Sequence, residues 1–229
     1  MTFVVLGYYR PKGGFVGQKV NPKLLRLGPV YNWSSRWFED KKYKETLLED
    51  RRIRMASMER LKNAGVSDIE IERSINSLRI IIYVSRPGIV IGRGGSGLED
   101  LKKFIYEVLN IKKNSRSSPK IDIRIEAIKE PNLDAYLVAN NIADSLVKRL
   151  PHRRVMAQAS QRVMLAGAKG VRIVLAGRVG GAEIGRTEKV QQGTVPLSTI
   201  REHINFVSVP ALTKKGYIGV KVWINRGEK

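Results

Sequence analysis

The alternation of apolar and polar positions divides the chain into a series of short elements. Residues 1–40 are rich in Gly, Pro and aromatics without a clear period, which predicts an irregular arm ordered by a partner. Residues 41–64 contain strong helix formers and no Gly or Pro, which predicts a helix. After Gly65, Ile69 and Ile71 alternate with polar residues over 67–73, and residues 78–84 are nearly all apolar, so two paired strands follow. Pro87 ends the second strand, and a half-turn or short helix leads into Gly92-Arg93-Gly94-Gly95. Ser96 is placed to cap a helix over 96–110, where Leu98, Leu101, Ile105 and Val108 recur at helical spacing. A polar loop over 111–118 precedes a strand over 120–128, in which Ile121, Ile123 and Ile125 alternate with charged residues.

This order of helix, strand, strand, short helix, glycine turn, helix and strand (αββααβ) is the arrangement of a type II KH domain. Pro131 marks the expected boundary. Beyond it the pattern predicts helices over 133–150 and 153–167, then strands over 171–179, 186–195, 205–212 and 217–225. Two helices on a four-stranded antiparallel sheet make the second unit α+β. The expected division is an arm over 1–39, a KH domain over 40–130 and an α+β domain over 131–229.

Charge narrows the class of partner. The 229 residues hold 42 Lys and Arg against 21 Asp and Glu, a net charge of +21. Basic residues outnumber acidic ones 9 to 5 over 1–50, 13 to 7 over 51–115 and 20 to 9 over 116–229. The excess is spread along the chain, whereas a targeting tail or membrane-binding helix would concentrate it, so a nucleic acid is the expected partner. The chain has no Cys and two His, His152 and His203, which leaves thiol chemistry and Cys/His zinc sites without ligands. His152 lies in Pro151-His152-Arg153-Arg154, where neighbouring cations disfavour the imidazolium that a general base must become. No catalytic residue, metal or cofactor is expected. No apolar run approaches the ~20 residues of a membrane helix, so no membrane partner is expected and the protein should be cytoplasmic.

Residues 92–97 also satisfy the dinucleotide pattern G-x-G-x-x-G. That site needs repeated strand-helix units and an acidic residue on the next parallel strand, and Pro87 interrupts the passage from strand to loop. A KH turn instead brings backbone N–H groups against the phosphates of a single strand. Gly92, Arg93, Gly94 and Gly95 are its candidates, flanked by Ile89, Val90, Ile91 and Leu98. A purely structural glycine turn is the third reading. On the helix over 153–167, Met156, Ala159 and Val163 share one side and Arg154, Gln158, Gln161 and Arg162 the other, a face suited equally to solvent and to RNA. Alternation places Arg172 and Arg178 on one strand face, and Tyr217, Lys221 and Trp223 opposite Ile218, Val220 and Val222. Lys221 is a candidate RNA contact, and Trp223 reads as a packing residue.

An ordered series of motifs resembles the bacterial and organellar branch of the universal small-subunit ribosomal protein three family. It includes Gly17-Gln18-Lys19-Val20-Asn21-Pro22, Arg26-Leu27-Gly28, residues 86–92, Glu130-Pro131, Leu133-Asp134-Ala135, residues 180–184, Arg186-Thr187-Glu188, Val195-Pro196-Leu197 and residues 218–223. The resemblance implies a non-enzymatic, ribosome-bound constituent of the small-subunit head, in the cytoplasm or an organelle and not a homo-oligomer. It implies contacts with rRNA and mRNA, with ribosomal proteins ten and fourteen, and with proteins four and five near the mRNA entrance. It also assigns Arg153 and Arg154 to that entrance, where Arg162 is expected to compensate for missing cations, and Lys19, Arg26, Arg172, Arg178, Arg186 and Lys221 are the candidate rRNA contacts. The alternative is a free KH regulator or transcription factor. Leu24 stands where the family usually has Gly, and Lys189-Val190-Gln191-Gln192 carries one cation in a segment commonly aromatic and basic. Ala157 and Gln158 replace cations expected one turn beyond Arg153 and Arg154. Val16 occupies the place of the family's initiating Met, so either translation starts there or residues 1–15 form a genuine arm whose Tyr8, Tyr9 and Arg10 touch rRNA.

Overall fold

The Gly- and Pro-free stretch after residue 41 is helical because its residues favour a helix, not because its apolar positions line one face. In the computed structural model, which describes residues 19–74, 76–109 and 120–228, Leu47, Leu48 and Met55 of this helix are exposed while Asp50, Ile53 and Ser57 are buried. The expected start at Val16, the alternative arm over 1–15 and the polar loop over 111–118 lie outside the described residues. The chain begins with a short helix α1 (Pro22–Leu25), whose cap Asn21 accepts from the Lys23 N–H at 2.9 Å. A two-residue strand β1 (Ser35–Arg36) and the helix α2 (Tyr43–Arg60) follow. A 3₁₀ turn (Lys62–Ala64) and Gly65, at φ 68°, lead into the hairpin of β2 (Val66–Ser74) and β3 (Ser77–Val84). Then come α3 (Pro87–Ile91), α4 (Ser96–Val108) and β4 (Lys120–Ala127).

The first sheet has the order β1-β2-β3-β4. β2 and β3 are antiparallel with Ile71 opposite Ile80, and β4 lies parallel to β3 with Ile121 opposite Leu78. Ile69, Ile71, Leu78, Ile80, Ile82 and Ile121 bury one face against Ile53 of α2 and Leu101 and Ile105 of α4. This is the type II KH fold that the pattern predicts. One detail differs: Gly95, not Ser96, is the N-cap of α4, and the Ser96 hydroxyl donates to the Arg93 carbonyl at 3.1 Å.

The second half opens with a 3₁₀ turn (Pro131–Leu133), followed by α5 (Ala135–Val147) and α6 (His152–Leu165). The strands β5 (Gly170–Gly177), β6 (Arg186–Gly193), β7 (Glu202–Thr213) and β8 (Gly216–Glu228) form an antiparallel sheet in the order β6-β5-β8-β7. Ile173 and Leu175 face Val222 and Val220, and this side of the sheet carries α5 and α6 through Ile142, Leu146, Met156 and Val163. The layer pair is the expected α+β arrangement.

Residues 19–39 differ from the irregular, partner-ordered arm that the composition predicts: their described contacts are internal. Arg26 is fully buried, and its guanidinium donates to the carbonyls of Glu202 (2.7 Å), Thr199 (2.8 Å), Leu197 (3.0 Å), Pro22 (3.1 Å) and Pro196 (3.2 Å). The Tyr31 hydroxyl donates to the Ile204 carbonyl at 2.7 Å, and burial pushes its pKa well above the ordinary tyrosine value. Further on, Ser35 and Arg36 pair with Ile71 and Glu72. Buried Asp50 accepts from the Ser35 hydroxyl (2.9 Å), the Trp37 indole (2.8 Å) and Arg73 Nε (2.7 Å). The segment is therefore fastened to both sheets.

Two substitutions test these anchors. Arg26→Ala leaves several buried carbonyls unpaired and should lower the unfolding free energy by about 2–4 kcal/mol in denaturant titration, with the salt slope of RNA binding unchanged. An RNA contact at Arg26 would instead change the log-log slope by ~0.7 at constant stability. Asp134 accepts from the N–H groups of Tyr136 and Leu137, from the Ser67 hydroxyl of β2 and from the Asn205 amide of β7, so Asp134→Ala removes the cap of α5 and a carboxylate joining the two sheets and should cost about 2–4 kcal/mol. Asp134→Asn, which can still cap, should recover part of that loss.

Candidate nucleic-acid interface

Three positive-φ glycines shape the turn between α3 and α4. Gly92 adopts φ 70° with ψ −178°, Gly94 φ 63° and Gly95 φ 83°, all conformations that L side chains rarely take. A Cβ on Gly94 or Gly95 would meet nothing within 4 Å, so space does not demand glycine there; backbone conformation does, and the missing side chains leave the turn open to a ligand. Gly97 is glycine for a different reason: a Cβ would lie 2.4 Å from the Val90 carbonyl oxygen, so α4 packs directly on the end of α3. Arg93 is exposed and pairs with no described carboxylate. Ile89 and Ile91 stand exposed beside the turn, whereas Val90 is buried in the core and Leu98 is half-buried. Of the four expected flanking residues, two thus present an apolar surface. Because α3 intervenes between β3 and the glycines, the direct strand-to-loop entry of a dinucleotide site is missing, and that reading falls.

On α6, Val155, Met156, Ser160 and Val163 are buried while Arg153, Arg154, Gln158, Gln161 and Arg162 are exposed. Arg154, Gln158 and Arg162 recur every four residues and form one stripe, with Arg153 one position round the helix. None of the three arginines pairs with a described carboxylate. The stripe therefore presents uncompensated charge. Ala157 and Gln158 are exposed on the same helix, so the missing cations leave a neutral interval in it.

The opposite face of the second sheet carries another group. Cross-strand pairing places Gln191, Arg172, Trp223 and Phe206 in one row, and Lys189, Val174, Lys221 and Ser208 in the next. The Arg172 guanidinium lies 5.1 Å from the Trp223 ring centroid, and Trp223 packs on Phe206 at 4.9 Å. Trp223 is thus a half-buried packing residue, and Lys221 is exposed beside it. Lys189 joins Lys221 across Val174, a neighbour that only strand register reveals. Arg178 departs from expectation: it lies beyond the end of β5, off the strand face, and its Nε donates to the Ala182 carbonyl at 2.9 Å. Arg186 is half-exposed and pairs with Glu188 at 3.0 Å. Lys19, the first described residue, is exposed. Arg26 is withdrawn from the interface altogether, because its guanidinium is buried on carbonyls. The remaining candidates form separate groups: the glycine turn, the α6 stripe and the outer face of the second sheet.

The open face of the first sheet is nearly balanced in charge. There Asp68, Glu70, Glu72, Asp122 and Glu126 stand against Arg36, Arg79, Lys120 and Arg124, and several of them pair: Arg36 with Glu70 at 2.8 Å and with Glu72 at 3.2 Å, and Arg79 with Glu72 at 3.1 Å. Partial burial raises the Glu70 carboxyl pKa above its ordinary value in spite of Arg36, and burial likewise raises that of Tyr83.

Comparison with known proteins accounts for both halves of the chain. A family model described as "KH domain" matches residues 52–133, and one described as "Ribosomal protein S3, C-terminal domain" matches residues 142–224. The small ribosomal subunit protein uS3 of Lactobacillus acidophilus is 48% identical over 213 residues, covering 93% of this chain and 92% of the relative. Its counterpart in Desulfitobacterium hafniense is 46% identical, with coverage of 93% and 94%. The uS3 protein of Caldicellulosiruptor saccharolyticus is 47% identical over 214 residues, with coverage of 93% of each chain. With identity of this order sustained across both halves, the chain belongs to the uS3 family of small ribosomal subunit proteins.

Proposed function

We propose that this chain is a structural constituent of the small ribosomal subunit, built into its head through rRNA and contributing the α6 arginines to the mRNA entrance. The supporting observation is the exposed, left-handed glycine turn carrying an unpaired Arg93, on a chain that matches uS3 relatives over nearly its full length. The turn's open backbone offers close approach to phosphates, and Ile89 and Ile91 offer an apolar surface to bases. Arg172, Lys189 and Lys221 anchor rRNA on the outer sheet face, with Lys19 and Arg186 as further contacts. The KH unit spans 40–130 and the second unit 131–229. Ribosomal proteins ten and fourteen are its neighbours in the head, and proteins four and five stand near the mRNA entrance. The role needs no catalytic group or cofactor, and its setting is a cytoplasmic ribosome. Sedimentation with small subunits in washing salt tests the reading; a free KH regulator would bind RNA and stay unbound to ribosomes.

At the turn, Arg93→Asp combined with Gly94→Asp puts negative charge against phosphate. Aspartate tolerates left-handed backbone better than most residues, so the full chain should keep its melting temperature and lose single-stranded RNA affinity by tenfold or more. Unchanged affinity in filter binding would leave the turn a structural feature only.

At the entrance, a pair of guanidinium groups holds the phosphates of a passing single strand and biases fluctuating duplexes toward the open form. The translocating ribosome supplies the work. Because Ala157 and Gln158 interrupt the stripe, the effect should be weaker than in a fully basic relative, with Arg162 extending the contact one turn on. Changing Arg153 and Arg154 to Ala should leave incorporation into subunits normal and slow translation selectively on messages with stable downstream hairpins. Each lost phosphate contact should lower the salt slope of single-strand binding by ~0.7. Equal rates on structured and unstructured messages would return the pair to plain rRNA anchoring or to solvent.

A further inference from the structure

The connection between α5 and α6 holds the one non-glycine residue with positive φ among those described, Arg149 at φ 62°. The Arg149 N–H donates to the Leu146 carbonyl at 3.0 Å and the Leu150 N–H to the Ser145 carbonyl at 3.1 Å. These bonds close a Schellman motif, whose left-handed position is ordinarily glycine. An arginine there holds a strained backbone, and its side chain lines a cavity of about 470 Å³.

Three segments build that cavity. The α5–α6 connection contributes Leu146, Val147, Arg149 and Leu150; the turn after β5 contributes Arg178, Gly180 and Gly181; the β7–β8 hairpin contributes Lys214, Lys215 and Ile218. Leu146 and Ile218 are buried in the core below, and Val147 and Leu150 are each 51% exposed. The walls are therefore apolar. The rim is cationic, with Arg149 on one segment, Lys214 and Lys215 on another and Arg178 on the third, and no Asp or Glu lines it. Two of the cations are held in place: Lys215 Nζ donates to the Gly181 carbonyl at 3.2 Å and Arg178 Nε to that of Ala182 at 2.9 Å. The glycines keep the mouth open, since a Cβ on Gly181 would lie 3.1 Å from Lys215 Cδ.

We propose that this cavity receives a single unpaired nucleotide of an RNA strand, its base against Leu146, Val147, Leu150 and Ile218 and its flanking phosphates on Arg149 and on Lys214 and Lys215. A volume in the range of small-molecule pockets, apolar walls and cations on separate sides of the rim suit a flat apolar ring joined to phosphate on both its 5′ and 3′ sides. The inference rests on the reading of the chain as an RNA-binding constituent of the small subunit, and adds a site apart from the glycine turn and the α6 stripe.

The test uses the full chain with labelled Leu, Val and Ile methyl groups, titrated with AMP, ribose 5-phosphate and inorganic phosphate. The methyl resonances of Leu146, Val147, Leu150 and Ile218 should move saturably with AMP and stay in place with the two base-free anions. Arg149→Gly relieves the left-handed strain, so it should raise the melting temperature while weakening AMP binding about tenfold. A purely structural arginine would give the first change without the second. In assembled small subunits, ultraviolet irradiation should attach an rRNA nucleotide to the peptide holding Lys214 and Lys215. Methyl groups that ignore AMP, or a zero-length carbodiimide bond from either lysine to a carboxylate of a neighbouring protein in place of the nucleotide adduct, would overturn the proposal. If the chain also failed to sediment with small subunits, the broader reading would fall with it; normal sedimentation with a silent cavity would remove this site alone.

Discussion

One buried carboxylate joins the two halves of the molecule. Asp134 caps α5 by accepting from the N–H groups of Tyr136 at 2.9 Å and Leu137 at 3.2 Å, and its other oxygen accepts from the Ser67 hydroxyl at 2.5 Å. Ser67 belongs to β2 of the first sheet. From the second sheet, Asn205 of β7 approaches to 3.5 Å and the Arg226 guanidinium of β8 to 4.0 Å, while Arg226 also donates twice to the Leu133 carbonyl. A carboxylate only 8% exposed is tolerated because donors surround it, one from the first sheet and two from the second. The start of α5, its seat on the second sheet and the junction with β2 are consequently set together. Arg26 plays the complementary part from the N-terminal side, a buried cation satisfied by carbonyls where Asp134 is a buried anion satisfied by donors.

This junction bears on the proposed function because the candidate RNA-facing groups lie on different parts of the frame. The glycine turn hangs from α3 and α4 of the first half, and the arginine stripe and the Arg172–Lys221 face lie on opposite sides of the second. On the proposed function, a single strand would be held at the turn by backbone geometry, which is indifferent to sequence, and on α6 by point charges, which are equally so. Neither arrangement reads base edges closely. Such a surface suits a protein whose partner is defined by assembly and whose transient ligand must pass through in any sequence.

Much of this was legible from pattern alone. The period-2 alternation at Ile121, Ile123 and Ile125, the apolar run of β3 and the four-residue spacing on α6 all specify faces, and the faces are where the pattern places them. Position in the sequence was a poorer guide to the fate of single charges. Arg26 reads as an rRNA contact through its motif; only the tertiary fold reveals five carbonyls converging on it, which satisfy a cation whose isolated burial would be costly. Arg178 reads as a strand-face residue because β5 was expected to run to residue 179, but the strand ends at Gly177 and the arginine turns to the Ala182 carbonyl. Ser96 carries the signature of a helix cap and instead closes the preceding turn, since Gly95 takes a left-handed conformation that serine would resist. Asp134 belonged to a recognisable motif, yet its role depends on Ser67 and Asn205, residues distant in sequence. The Arg149 conformation has no sequence signal at all, because the Schellman position ordinarily announces itself with glycine.

The distribution of charge supplies a constraint that composition conceals. A net charge of +21 suggests a protein attractive to phosphate on every side, yet on the open face of the first sheet the charges are nearly balanced and knitted by ion pairs. Exposed pairs of this kind add little to stability, and the raised pKa of Glu70 indicates that its charged form is held at a cost there. Their physical consequence is directional. On the proposed function, a paired and nearly neutral sheet face would offer a polyanion little while Arg93, Arg154, Arg162, Arg172 and Lys221 would attract it, which would favour some orientations of approach over others.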